Sequence, residues 1–399
     1  MADAFSALRA RDEASVMRTY GRYPLAVSRA QGSRLFDLDG REYVDLLAGI
    51  AVCNLGHCHP EVTEAIRRQA GELVHVSNLF FQREQVELAE RLLATCHCGK
   101  AFFCNSGAEA NEGAIKLARR FMREVRGREA YEIITLSGSF HGRTLATLTA
   151  TGQDKIKHGF APLPEGFVTV PWGDLDAVRS AIRPETAGVL IEVIQGEGGV
   201  NPLPRDYVSG LAALCRERGI LFMIDEIQSG MCRTGKFWAF QHYGVTPDMF
   251  TCAKALANGL PMGALLATDE VAAGFVPGSH ATTFGGTPLV SAAAATVLEV
   301  MVRERIDDRA KRVGDYAWGL FTDLRQTYPD KIAGVRGMGL MIGIELAFPG
   351  QAVWRELLDR GFVLNLTQER VLRLLPPLTI PREDLARFAS ALGAVLGAL

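Results

Sequence analysis

The 399-residue chain contains no apolar run approaching the roughly 18 residues that a membrane-spanning helix requires. It also lacks an excess of either charge, because 43 basic side chains stand against 45 acidic ones and no Lys/Arg cluster occurs, which argues against nucleic acid or an anionic membrane as a partner. The N-terminal stretch MADAFSALRARDEASVMRTYGRYPL has no apolar signal-peptide core and carries Asp3, Asp12 and Glu13, so the expectation is a cytoplasmic chain without a secretory or transit signal. Internal repeats and low-complexity tracts are missing too, excluding solenoid and fibrous architectures. Eight cysteines are present, yet no C-x2-C pair. Cys53, His57, Cys58 and His59 crowd one stretch and Cys96 to Cys98 another, but without that spacing no metal is expected. Cys104, Cys215 and Cys252 sit in apolar runs and read as small buried hydrophobes in a reducing compartment.

What is present is enough apolar material, 48% of the residues, to bury a large core in two or three domains. The runs AFFCNS, EIITLSG, AGVLIEVI, ILFMIDE and DMFTCAK alternate with helical patterns between Ala101 and Lys254. Such runs, apolar on both faces and separated by crossover-length segments, predict a parallel sheet covered by helices. Ala114, Ala118, Phe121 and Val125 recur at helical spacing after the first run and predict a buried stripe. RLFDLDGREYVDLLAG predicts a hairpin about an Asp-Gly turn, and the C-terminal part, with VRGMGLMIGIEL, FVLNL and VLRLLPPL, predicts an α+β unit. The expected division is residues 1–60 as an N-terminal segment of a small domain, 61–295 as a large α/β domain and 296–399 as the rest of the small domain.

Chemistry collects where the parallel strands end, the edge at which such sheets bind ligands. Asp225 closes ILFMIDE and Lys254 closes DMFTCAK, so a carboxylate and an amine would leave one rim. A lone lysine among small and apolar residues can snorkel to water, or it can lose its charge, find a partner or form a covalent bond. Ser106, Gly107 and Ala108 turn the first run into a helix, where free N–H groups and the helix dipole suit a phosphate. Ser106 and Glu109 also have capping-box spacing, and the two readings are compatible. Phe140, His141 and Arg143 follow the second run. Phe140 could cover a planar ring or fill the core, and Arg143 could grip a carboxylate or simply face water. An amine for an aldehyde, an anion for a pyridine nitrogen and donors for a phosphate together suggest pyridoxal phosphate.

The motifs NSGAEANEGAIKLAR, SFHGRTLATLTATGQ, IEVIQGEGGV, IDEIQSGMCRTGKFWAF, FTCAKALANGLPMGA and TTFGGTPL occur in order, and with them the chain resembles the class III pyridoxal-phosphate aminotransferases over more than three quarters of its length. The resemblance implies fold type I, with a large, mostly parallel-sheet domain and a smaller α+β domain built from both chain termini. It implies Lys254 as the Schiff-base lysine, Asp225 on the pyridine nitrogen, Gln228 near the ring hydroxyl and Phe140 stacked on the ring. Ser106, Gly107 and Ala108 would cradle the phosphate, and Thr283 would reach it from the other subunit of a homodimer with shared active sites. Arg143 and Arg373 would clamp substrate carboxylates, with Glu197 as a switch that masks Arg373. The implied substrates are N2-acetylornithine and 2-oxoglutarate, reacting in arginine biosynthesis.

Succinylornithine, N-succinyl-diaminopimelate, ornithine and 4-aminobutyrate are the rival donors for the same chemistry. An aminomutase or a non-catalytic cofactor-binding protein would belong to other classes. The chain departs from the family pattern at Val193, where Pro is common, at Cys232, where Gly is usual, at Thr287, where Asn is usual, and in a glycine-poorer run after Lys254.

Overall fold

A computed structural model describes residues 4–399, so Asp3 lies outside the described residues. Its centre is a seven-stranded sheet, labelled in chain order β1 (Lys100–Cys104), β2 (Glu132–Leu136), β3 (Phe167–Val170), β4 (Thr186–Ile191), β5 (Leu221–Asp225), β6 (Met249–Cys252) and β7 (Gly263–Ala267). The order across the sheet is β1-β7-β6-β5-β4-β2-β3. All strands run parallel except β7, which is antiparallel to both neighbours. The five apolar runs became strands; β3 and β7 were not among them. GALLA has no β-branched residue to mark it as a strand. Residues 253–262 between β6 and β7 are too few for the crossover a parallel pair needs, so β7 turns back.

Strand alternation decides what each side chain meets. On β5, Leu221 and Met223 join the core layer that contains Ala114, Leu117 and Ala118 of helix Gly107–Arg120, while Phe222 and Ile224 join the opposite layer. Each fully buried Leu, Ile or Phe in these layers stabilises the fold by roughly 1.5–3 kcal/mol. Period two then sends Asp225 to the Met223 side, toward helix Gly107–Arg120. The helical stripe holds at Ala114, Ala118 and Phe121 but fails at Val125, which is exposed. Residues Phe121–Val125 form a π-turn, with Arg126 N–H donating to Phe121 O at 3.0 Å, and that wider turn rotates Val125 off the stripe.

Both chain ends meet in a second sheet. Val27–Gln31, Arg34–Asp37 and Glu42–Asp45 form an antiparallel meander that includes the expected hairpin, and Phe362–Val363 adds in parallel to Glu42–Asp45. Arg34 reinforces the junction with a bidentate pair to Asp384 at 2.6 and 2.8 Å. The C-terminal sheet, Ile332–Met338, Met341–Leu346, Val371–Leu374 and Asn365–Thr367, is antiparallel throughout. Arg373 lies on its third strand.

All eight cysteines are free thiols, and Cys104, Cys215 and Cys252 are buried as expected. His57 is held by Asp45, Nε2 to Oδ2 at 2.6 Å, and hydrogen bonds to Asp45 and Cys53 push its pKa up to about 10. His59 stands beside Glu61 and Glu304, whose carboxylates are both bonded by Arg303.

Candidate active site

A cavity of about 390 Å³ opens at the carboxyl ends of the parallel strands, within the size range of small-molecule sites. Register brings its polar groups there. Ile224 pairs with Ile191 and Asp225 with Thr251, so Glu192, Asp225 and Lys254 leave the same rim. β7 starts there, with Gly263 opposite Cys104. A Cβ on Gly263 would stand 2.4 Å from Ser106 O, so only glycine allows the turn into the helix to pack this closely.

Asp225 is buried and held by three contacts. Ile227 N–H donates to Oδ1 at 3.0 Å, Asn111 Nδ2 donates to Oδ2 at 2.8 Å, and His141 Nδ1 lies 2.8 Å from Oδ2. Thr251 Oγ1 in turn donates to Asn111 Oδ1 at 2.7 Å, which fixes the amide orientation. A buried carboxylate with this many partners has no freedom to turn away from the cavity.

Lys254 follows β6 with φ of 43°, a left-handed conformation that costs a lysine free energy and that the packed surroundings must hold. Its side chain lines the cavity. Burial lowers its pKa below the usual lysine value, against the opposing charges of Asp225, Glu197 and Glu192. The result is an amine more readily available as a free base than one in water. Asn258 secures the following turn through Leu55 N–H at 2.9 Å and Gly56 O at 3.0 Å.

At the helix start, Ser106 Oγ accepts from Glu109 N–H at 3.2 Å. The Glu109 carboxylate returns to Asn105 N–H at 2.8 Å, one residue before the usual capping-box position. The cap therefore exists. By helix geometry it leaves the N–H groups of Gly107 and Ala108 without intrahelical acceptors, at the positive end of the dipole and on the cavity wall.

Phe140 and Ile227 supply apolar walls, and Arg143 is exposed at the rim with its guanidinium carbon 5.6 Å from the Phe140 ring centroid. On the opposite side Arg373 is buried and donates to Glu197 Oε1 at 2.5 Å, to Gln228 Oε1 at 3.2 Å and to Asn365 Oδ1 at 2.8 Å. Burial pushes the Glu197 carboxyl up, but Arg373, then the charge of Lys254 and the Gln228 hydrogen bond, more than offset this and hold it below the usual range. A Cβ on Gly196 would meet Gln228 Oε1 at 2.1 Å, so the neighbouring glycine permits this contact. Of the residues singled out from sequence, Thr283 alone stands apart, exposed and away from the cavity wall of its own chain, while Arg373 touches the cavity only through Glu197 and Gln228.

Asn111, Thr251, Glu192 and the supporting role of His141 were not anticipated. Helical spacing could have found Asn111, since it shares the buried face with Ala114 and Ala118. A polar residue on such a face needs a buried partner. Glu192 and His141 carry no comparable local signal.

These groups suit pyridoxal phosphate: a buried amine with a lowered pKa, a fixed buried anion, two N–H donors at a helix start and an aromatic wall around a space of the right size. The comparisons agree. The family model "Aminotransferase class-III" matches residues 15–396. The chain is 46% identical over 379 residues to the acetylornithine aminotransferase of Methanocaldococcus jannaschii, covering 95% of each. An ornithine aminotransferase structure from Toxoplasma gondii, described as showing partial occupancy of PLP at its active site, superposes with a TM-score of 0.94 at 32% identity, covering 98% of this chain and 94% of that one. The acetylornithine aminotransferase of Elizabethkingia anophelis superposes with a TM-score of 0.88 at 30% identity, covering 99% of both chains. The chain belongs to the class III aminotransferases and is a pyridoxal-phosphate-dependent enzyme.

Proposed function

We propose that the enzyme transfers the terminal amino group of N2-acetyl-L-ornithine to 2-oxoglutarate, giving N-acetyl-L-glutamate 5-semialdehyde and L-glutamate, a step of arginine biosynthesis. The observation that carries this reading is the unequal state of two arginines. Arg143 is open at the rim, whereas Arg373 is covered by Glu197. A donor whose one carboxylate lies far from the reacting amine needs only Arg143. A dicarboxylate such as 2-oxoglutarate needs Arg373 as well, so Glu197 must move aside for it. The name shared by curated relatives supports the acetylated donor.

In this reading Ser106, Gly107 and Ala108 bind the phosphate, Phe140 covers one ring face, Gln228 lies near the ring hydroxyl and Asp225 holds the pyridine nitrogen. When bound, pyridoxal phosphate supplies an aldehyde that takes the amino group and a protonated ring that accepts the electron pair left by proton loss. Lys254, freed as a neutral amine, removes the proton from the substrate carbon bearing that amino group. The apolar walls keep water from competing for it.

The test is spectroscopic. Holoenzyme is titrated with N2-acetylornithine, ornithine, succinylornithine or 4-aminobutyrate, without 2-oxoglutarate. N2-acetylornithine is expected to bleach the lysine-bound cofactor band at the lowest concentration, and 2-oxoglutarate to restore it. Bleaching by another amine alone would overturn the substrate assignment, and an aminomutase would turn over without 2-oxoglutarate.

A homodimer with shared sites belongs to the same proposal. Leu79, Phe80, Phe81 and Phe284 are exposed on two segments joined by Asn78 Nδ2, which donates to Gly285 O at 3.0 Å. A patch of this kind marks a protein contact, and Thr283, beside Phe284, would reach the partner's phosphate site. Phe81→Glu is expected to shift the enzyme toward monomer in sedimentation velocity and to cut activity at least tenfold. A fully active dimer would count against the shared site. Among the described residues no helix is long and apolar enough to cross a membrane. We place the enzyme in the cytoplasm and retain domain limits near residues 60 and 295.

A further inference from the structure

Glu192 stands at the end of β4 with its side chain buried on the cavity wall, and the mechanism above gives it no task. Its two oxygens are used separately. Oε2 accepts the N–H of Phe140 at 2.8 Å, and Oε1 accepts the N–H of Gly196 at 3.2 Å. One carboxylate therefore ties together two loops that serve different ends of the site. The first carries Phe140 and then His141, which contacts Asp225. The second leads into Glu197, which covers Arg373.

We infer that Glu192 is a positioning residue that sets the Glu197–Arg373 pair from the cofactor side of the cavity, and thereby the balance between the monocarboxylate donor and the dicarboxylate acceptor. This rests on the reading of Glu197 and Arg373 given above. Glu197 O is held from the C-terminal domain by Thr367 Oγ1 at 2.9 Å and Gln368 Nε2 at 2.8 Å, so its backbone is anchored on that side already. The contact from Glu192 to Gly196 supplies the opposing anchor from the central sheet. With both in place, the Glu197 side chain has a fixed starting point for covering Arg373. Burial and the charge of Asp225 push the Glu192 carboxyl up to about 7, with His141 and the two N–H donors acting the other way. The two accepted N–H bonds suit the ionised form, which offers an acceptor at both oxygens.

Glu192→Gln keeps the shape and one acceptor but turns an NH2 toward the other N–H. Loss at Phe140 slows both half-reactions together. Loss at Gly196 acts on one, because a loosened Glu197 leaves a buried, unpaired Arg373 beside the acetylated donor and eases access for the dicarboxylate. Single-turnover absorbance gives kcat/KM for each half-reaction of the holoenzyme. The ratio of the 2-oxoglutarate value to the N2-acetylornithine value is expected to rise at least tenfold in Glu192→Gln. An equal fall in both half-reactions in Glu192→Gln and Glu192→Asp alike, or no change in either, would overturn the inference. Should Glu192→Gln not fold, Glu192→Asp, which keeps the charge but is one methylene short, carries the same expectation. Glu197→Ala measured alongside separates the two ideas. An unchanged ratio there sinks the gate itself, whereas a change there with none in Glu192→Gln sinks only the role of Glu192. If wild type prefers another ω-amine, the ratio is taken with that donor.

Discussion

Lys254→Ala is expected to lower turnover by at least about 10⁴-fold, the upper range for loss of a positioned general base, and to leave a folded protein that still binds cofactor. The folding half of this expectation follows from the environment. Lys254 meets a desolvation cost that lowers its pKa, so removing it deletes a poorly hydrated amine and breaks no hydrogen bond that shapes the surrounding turn. That turn is held by Asn258, through Leu55 and Gly56, and alanine tolerates the φ of 43° about as well as lysine does. The binding half follows because the helix start at Ser106, the Phe140 wall and the Asp225 anchor are untouched. Borohydride reduction followed by mass spectrometry distinguishes the states. Wild type should carry cofactor mass on the peptide containing Lys254, and the variant on none, while dialysis leaves absorbing cofactor in both. Turnover near wild type would refute the assignment.

The placement of Asp225 and Lys254 on one rim was legible because each closes an apolar run, and a run that becomes a parallel strand delivers its last residue to that edge. The supporting groups were out of reach for a physical reason. His141 lies 84 residues from Asp225 and Asn111 lies 114 away. His141 meets Asp225 through the strand order β5-β4-β2, and Asn111 through the helix that follows β1 at the other edge of the sheet, and no local pattern encodes either. Glu197 and Arg373 are 176 residues apart and were named only through resemblance. Within β7 the weak strand signal hid the one antiparallel member, and the Val125 stripe failed where the helix widened. Of the departures from the family pattern, Cys232 has a geometric meaning: its φ of 67° lies in the left-handed region, where the usual glycine would carry no steric cost. Thr287 caps helix Pro288–Arg303 without a side-chain hydrogen bond, and nothing in the structure explains its choice over Asn.

Asp225→Asn is the second large effect, with kcat expected to fall roughly 10³-fold, comparable to losing a preorganised electrostatic contact in a dry site. The substitution is nearly isosteric, so its consequences can be traced contact by contact. Ile227 N–H can still donate to the remaining carbonyl oxygen, but the new NH2 can accept from neither Asn111 Nδ2 nor His141 Nδ1, which in the native protein converge on Oδ2. Asn111 is itself pinned by Thr251, so it cannot rotate its amide to adapt without breaking that bond. The lost negative charge matters more. A neutral amide no longer favours a protonated pyridine nitrogen, and the electron pair left when Lys254 removes the substrate proton has a poorer place to go. The deficit should therefore appear in proton removal, as a lower single-turnover rate with an increased isotope effect for donor deuterated at the reacting carbon, and less in KM. Asp225→Glu would keep the charge but push it into the cavity, and should recover part of the rate. An unaffected rate in Asp225→Asn would remove this residue from the mechanism. A loss confined to KM would reassign it to binding alone.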